Sequence, residues 1–237
     1  MMFTLSEVEI DALWLSLKVA FWAVGASLLP AYGVAHLLAR HRFIGHGLIN
    51  AIVHLPLVLP PVVVGYGLLV LLGRRGPLGA PLFELFGVSL AFTWQAAAIA
   101  AAVMAFPLTV RAIRLSIEAI DPGLEAAART LGASFWRVQL TIVLPLALPG
   151  VLTGVVLGFA RCLGEFGATI TFAANIPGQT QTLPLALFSL TEAPGNDMAA
   201  ARLAVIGVAL AMIALLTSEV MARRIGRRLG RQTRYSP

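Results

Sequence analysis

The sequence predicts an all-α, polytopic membrane protein with about five transmembrane helices, and three observations carry that expectation. Of 237 residues, 59% are hydrophobic and 12% charged, about half the charged share of an ordinary soluble domain, at a mean hydropathy of +0.88. The apolar residues fall into runs of about 20 or more, the length at which a helix crosses about 30 Å of hydrocarbon. The basic residues gather at the ends of those runs, and one amphipathic, charge-bearing stretch, Asp121 to Gly150, interrupts them. A single membrane domain, 1–237, accommodates everything. The net charge of +6 is explained by topology without invoking nucleic acid. The one cysteine, Cys162, lies in an apolar run and reads as a small buried hydrophobe.

In chain order, the N-terminal stretch carries Glu7, Glu9 and Asp11 and no base, the reverse of a secretory signal's positive start, so cleavage is not expected. Ser6 and Glu9 have capping-box spacing and start the helix that becomes the first span, 12–38, with a kink expected at Pro30 and Lys18 snorkelling near one end. The basic loop Arg40, His41, Arg42 follows. The second span, 49–72, contains Pro56, Pro60, Pro61 and Gly65, which free backbone carbonyls in a regular helix. The simpler expectation is a kinked packing helix; the other is a broken helix lining a pathway. Residues 73–87 read as a loop with one surface turn, and 88–110 as an Ala-rich third span suited to close helix contact.

Next comes the interruption, 121–139. Asp121 caps a short helix with Pro122 at its first position, Glu125 and Arg129 stand four apart, and Gly132 offers the left-handed conformation that ends a helix. Ser134 caps a second short helix carrying Phe135, Trp136 and Arg137, which runs into the fourth span, 140–163. The result is a helix-turn-helix elbow against a membrane span. A fifth span, 199–222, ends in the basic tail 223–237. Placing the elbow inside puts Arg40, Arg42, Arg111, Arg114, Arg129, Arg137 and the tail arginines on the cytoplasmic side, with Arg74 and Arg75 outside. The N-terminus is then outside and the C-terminus inside.

Residues 164–198 contain no base and are too long for a simple connection. Asn175, Ile176, Pro177 and Gly178 supply a type II turn, and Leu183 to Leu190 read as a re-entrant or surface helix. Arg161 and Glu165 stand four apart at the outer end of the fourth span. A neutralising ion pair is one reading; the sharper one makes Arg161 and Glu165, with Thr153, Thr169 and Asn175, part of an anion path and outer gate.

Two stretches carry a resemblance to a known family. The register Ala126, Ala127, Ala128, Gly132, Ile142, Leu144, Pro145 resembles the cytoplasmic loop of binding-protein-dependent ABC importer permeases, E-A-A, three residues, G, nine residues, I, one residue, L-P. It departs from that loop in having Ala126 at the acidic position, with Glu125 one residue earlier. The run R-C-L-G-E-F-G-A-T-I-T-F-A-A-N-I-P-G-Q-T-Q-T-L-P from Arg161, with H-L-P-L-V-L-P-P-V-V-V-G-Y from His54, resembles the molybdate permeases; sulfate permeases share G-E-F-G more than N-I-P-G.

The resemblance implies a type I ABC importer-like fold and import of molybdate, with sulfate, thiosulfate or tungstate as alternatives. It makes the elbow a coupling helix, in which Glu125, Ala127, Ala128, Gly132 and Phe135 carry contact or shape. It implies as partners a second copy of the chain, two cytoplasmic ATPase subunits that bind the ATP and Mg, and a periplasmic oxyanion-binding protein, in a bacterial inner membrane. This chain itself is expected to bind no cofactor and to be no enzyme. Its sole lysine, Lys18, follows Leu17, and no G-x-x-x-x-G-K occurs. The four histidines form no H-E-x-x-H, and Ser27, within G-A-S-L, is a common tripeptide context in Ala-rich helices. The competing class is a secondary anion transporter or channel, which shares broken helices and buried charge but leaves the elbow without a purpose.

Overall fold

The chain is described here by a computed structural model covering residues 6–232, with side chains described as far as Thr217 and at Val220. Helix α1, Glu7–Arg40, starts on the expected capping box: Ser6 Oγ accepts from Glu9 N at 3.3 Å, and the Glu9 carboxylate accepts from Ser6 N at 2.6 Å. Its 34 residues run unbroken through Pro30, about 50 Å at 1.5 Å per residue, which exceeds the hydrocarbon thickness.

The second apolar stretch corrects the kinked-helix expectation. It forms two helices, α2 (His46–Val58) and α3 (Pro61–Leu72), bent by 115° at Leu59 and Pro60. Pro56 continues inside α2, so one proline is tolerated; the adjacent pair Pro60 and Pro61 removes two successive donors and forces the residues before each away from helical dihedrals. Residues 73–87 hold a two-turn helix, α4 (Gly79–Phe86), in place of a single surface turn. The third apolar stretch begins later than expected. Val88–Phe92 stay outside the helix, and α5 (Trp94–Glu118) starts where Thr93 Oγ1 accepts from Ala96 N.

The elbow follows as α6 (Pro122–Thr130) and α7 (Phe135–Val138), then a π-helical turn, Gln139–Val143, leading into α8 (Leu144–Leu163). Beyond it the chain folds back as α9 (Gly167–Ala173) and α10 (Leu183–Glu192) before α11 (Asp197–Gln232). Among the described residues, four helices are long and apolar enough to span a membrane, five counting the bent pair. The turn after α9 lies one residue later than read, since Gln179 N donates to Ile176 O with Gly178 at φ 73°. The tail arginines from 223 onward lie outside the described side chains.

Contacts fix the relative directions. Helices α1 and α5 are parallel: Lys18 sits over the Trp94 ring at 4.0 Å, and Arg40 donates to Ile120 O at the other end. Helix α8 runs antiparallel to α5, with Gly150 against Ser116 and Cys162 Sγ donating to Ala101 O at 3.5 Å. Their interface is built on small residues. A Cβ at Gly150 would overlap the Ser116 side chain, and Thr109 Oγ1 reaches Gly154 O at 3.2 Å, so the backbones approach as apolar surroundings require for packing without a hydrophobic drive. Buried Ala20, Ala23, Ala97, Ala100 and Ala101 continue that seam between α1 and α5. Helix α9 lies along α3, where a Cβ on Gly65 would come within 2.5 Å of Ala168 O. The elbow thus sits at one end of the bundle, and Ser6 and Asp197 sit at the other.

Candidate functional site

At the elbow end, each local choice has a physical cause. Asp121 Oδ1 accepts from Gly123 N at 2.8 Å, Pro122 occupies the first helical position, and Gly132 turns the chain at φ +82°, with its N–H bonded to Arg129 O and that of Ala133 to Ala128 O. The one-residue departure of the acid turns it by about 100° around α6. Glu125 therefore faces inward: it is buried, its Oε1 accepts from Arg40 Nε at 2.7 Å, and Arg40 Nη2 also donates to Ile120 O at 3.0 Å. Arg129, expected as its partner, is more distant, at 3.9 Å from Oε2. Glu125 is the tie that seats α6 on the end of α1, so its place is inside the exposed unit and not on its surface.

Ala127 and Gly132 are exposed, Phe135 is 45% exposed, and Ala128 is half-buried against the core. Sequence reasoning passed over Leu124 and Leu131, which are 48% and 89% exposed. With Ala127 they form an i, i+3, i+7 apolar stripe on the outer face of α6, a surface suited to a groove on a partner. Periodicity alone signals that stripe. Arg40, Tyr32, His36 and Gln139 were also unforeseen as supports: Tyr32 donates to Gln139 Oε1 at 3.1 Å, and Gln139 Nε2 lies 3.3 Å from His36 Nε2.

At the opposite end a polar layer is folded inward. Glu165 is 2% exposed; its Oε1 accepts from Ala168 N at 2.9 Å, capping α9, and its Oε2 lies 2.6 Å from Arg161 Nη1 without an aligned N–H between them. Thr169 is buried in α9 nearby. The other two residues of the expected path lie elsewhere. Thr153 is two turns down α8, where its hydroxyl donates to Pro149 O at 2.8 Å. Asn175 joins α10, donating to Ser189 Oγ at 2.8 Å and accepting from Gln181 Nε2 at 3.0 Å. Thr180, Gln181 and Thr182 are all buried, so the end of the N-I-P-G-Q-T-Q-T run forms an internal layer while its turn, Pro177 to Gln179, stays exposed. Arg202, which lies within the fifth apolar run, grips Glu9 with Nη2 at 2.6 and 2.8 Å and so clamps α11 to α1. Among the described residues, no group of three or more His, Cys, Asp or Glu could hold a metal ion.

A bundle of crossing helices with a broken second span, an inward-folded polar layer at one end and an apolar-striped elbow at the other defines a polytopic membrane permease. Residues 31–231 match the family described as "Binding-protein-dependent transport system inner membrane component", and the chain belongs to that family. The "Molybdenum transport system permease protein ModB" of Escherichia coli (strain K12) is 57% identical over 227 residues, covering 96% of this chain and 99% of that protein. The "Probable sulfate transport system permease protein cysT" of Chlorokybus atmophyticus is 38% identical over 159 residues, covering 67% of this chain and 55% of that protein. Among solved structures, a bacterial ABC transporter involved in import of the acidic polysaccharide alginate superposes with a TM-score of 0.73 at 18% identity, over 93% of this chain and 81% of that one, a likeness of fold. The chain is a multi-pass protein of the inner-membrane component class.

Proposed function

We propose that this chain is the membrane-spanning permease subunit of an ATP-driven importer of molybdate. The observation that carries the reading is the 57% identity to a molybdenum permease along nearly the whole of both chains, which includes the elbow and the polar layer alike. The sulfate relative matches less of the chain at lower identity.

Two copies of the permease enclose the oxyanion path, a periplasmic binding protein delivers the anion, and two cytoplasmic ATPase subunits hold ATP and Mg; this chain itself binds neither. The N-terminus is periplasmic and the elbow cytoplasmic. The apolar stripe Leu124, Ala127, Leu131 seats in the ATPase, Gly132 gives the elbow its shape, and Glu125 and Arg40 transmit its displacement to α1. When nucleotide draws the ATPase pair together, the two elbows approach and the permease halves open outward. Arg161, partly exposed at the outer end of α8, supplies positive charge to the path while Glu165 holds it in place.

The test is reconstitution in liposomes with the cognate ATPase and binding protein. ATP hydrolysis stimulated by molybdate-loaded binding protein, accompanied by molybdate uptake, is the expected result, with tungstate and sulfate as competing substrates. A chain that conducts anions without ATPase subunits would instead be a channel.

A further inference from the structure

A groove of about 780 Å³ runs along the outside of the bundle between α1 and α8, with Leu28, Gly33 and Leu37 on one wall and Leu140, Leu144 and Val151 on the other. It extends from Leu28 to His41, which caps the end of α1, about 20 Å at 1.5 Å per residue. One leaflet's share of the hydrocarbon is about 15 Å deep. At its mouth stands Trp136, 72% exposed and stacked edge-on to Phe135, the kind of ring that marks a membrane–water boundary.

The mouth opens on a second pocket of about 450 Å³ with charged side chains in its wall, reached past His36 and His41, which line both. Arg40, Arg129 and His41 face this pocket together with a single acid, Glu125. Glu125 is engaged by Arg40 at 2.7 Å, which leaves the pocket net positive, and Arg129 keeps a side chain 55% exposed. On the dividing wall, His36 Nδ1 is buried with no hydrogen-bond partner among the described residues. A leaflet-deep apolar slot that ends in a cationic pocket has the polarity of a phospholipid. An apolar helix of a second copy would fill the slot and leave the cations unanswered.

We propose that this groove binds one anionic phospholipid, its acyl chain lying between α1 and α8 and its phosphate between His41 and Arg129. The lipid seals the junction at which the elbow meets the bundle, so occupancy stiffens the elbow's seat.

The probes are phosphatidylglycerol and phosphatidylcholine with identical acyl chains, titrated into the delipidated full chain and read by native mass spectrometry. Phosphatidylglycerol is expected to bind about fivefold more tightly, the order of preference one uncompensated cation confers at a membrane surface. Arg129→Glu removes that preference and leaves phosphatidylcholine binding as it was. Gly33→Phe grows into the groove, because a Cβ there meets nothing within 4 Å, and weakens both lipids about tenfold. Gly25→Phe, equally open but off the groove wall, does not. Leu140→Trp, from the opposite wall, repeats the obstruction and separates it from a folding defect in α1. Equal binding of the two lipids to the unaltered chain overturns the proposal. So does phosphatidylglycerol binding that survives Gly33→Phe, including the case in which that variant instead separates a dimer and so assigns the groove to a second copy.

Discussion

Glu125→Gln unseats the elbow. In the native chain Arg40 is held by two acceptors, Glu125 Oε1 at 2.7 Å and Ile120 O at 3.0 Å, with side-chain exposures of 13% for Arg40 and 9% for Glu125. A hydrogen bond between charged groups contributes about 1.5–3 kcal/mol, and breaking a fully buried ion pair costs about 3–5 kcal/mol because the surviving charge is stranded. Here the surviving guanidinium keeps its bond to Ile120 O and borders an open pocket, which places the cost at the low end, about 2 kcal/mol. That is roughly a 30-fold rise in the population of elbows detached from α1, at 1.4 kcal/mol per tenfold. Limited trypsin digestion reads this directly, because cleavage after Arg129 follows the open population when opening is fast. The double variant Arg40→Gln with Glu125→Gln has no stranded charge, and its cleavage rate returns most of the way towards the unaltered value. Single effects that simply add in the double variant would refute the reasoning, as would cleavage unchanged in Glu125→Gln.

Three further outcomes follow from the geometry. Gly132→Val forces a β-branched residue to φ +82°, a strain of about 1–3 kcal/mol, and uncouples ATP hydrolysis from uptake, whereas Gly132→Asn, which tolerates that region, keeps the two linked; equal behaviour of the pair in liposomes would count against the elbow's role. Gly65→Ala drives a methyl into Ala168 O and lowers the melting temperature by several degrees, the consequence of about 1–3 kcal/mol of overpacking, while Gly67→Ala, with open space around it, leaves melting unchanged. Arg161→Gln, which leaves buried Glu165 without its cation, lowers uptake most at scarce molybdate, and Arg161→Lys restores part of it; normal uptake by the Gln variant excludes charge guidance.

Local chemistry was readable without coordinates wherever it depends on neighbours in sequence. The Ser6–Glu9 box, the Asp121 and Ser134 caps and the turn at Gly132 all connect residues within four positions, so spacing alone determines them. The number of apolar runs and the all-α class are legible for a similar reason: hydrocarbon demands internally bonded helices of one length.

What the tertiary structure decided is long-range. The Pro60–Pro61 pair breaks the second span locally, but that the 115° bend brings α3 alongside α9, where Gly65 permits close approach, is decided by packing between the two helices. The partner of Glu125 is Arg40, 85 residues away, and the partner of Glu9 is Arg202, 193 residues away; Asn175 turns to α10 and not to Arg161. Spacing cannot rank such partners, because a carboxylate four residues from Arg129 pairs with it only if no better-placed cation arrives from another helix. In a membrane bundle the helices that bring those cations are oriented by close packing of small residues, a property of surfaces in contact that no single stretch of sequence contains.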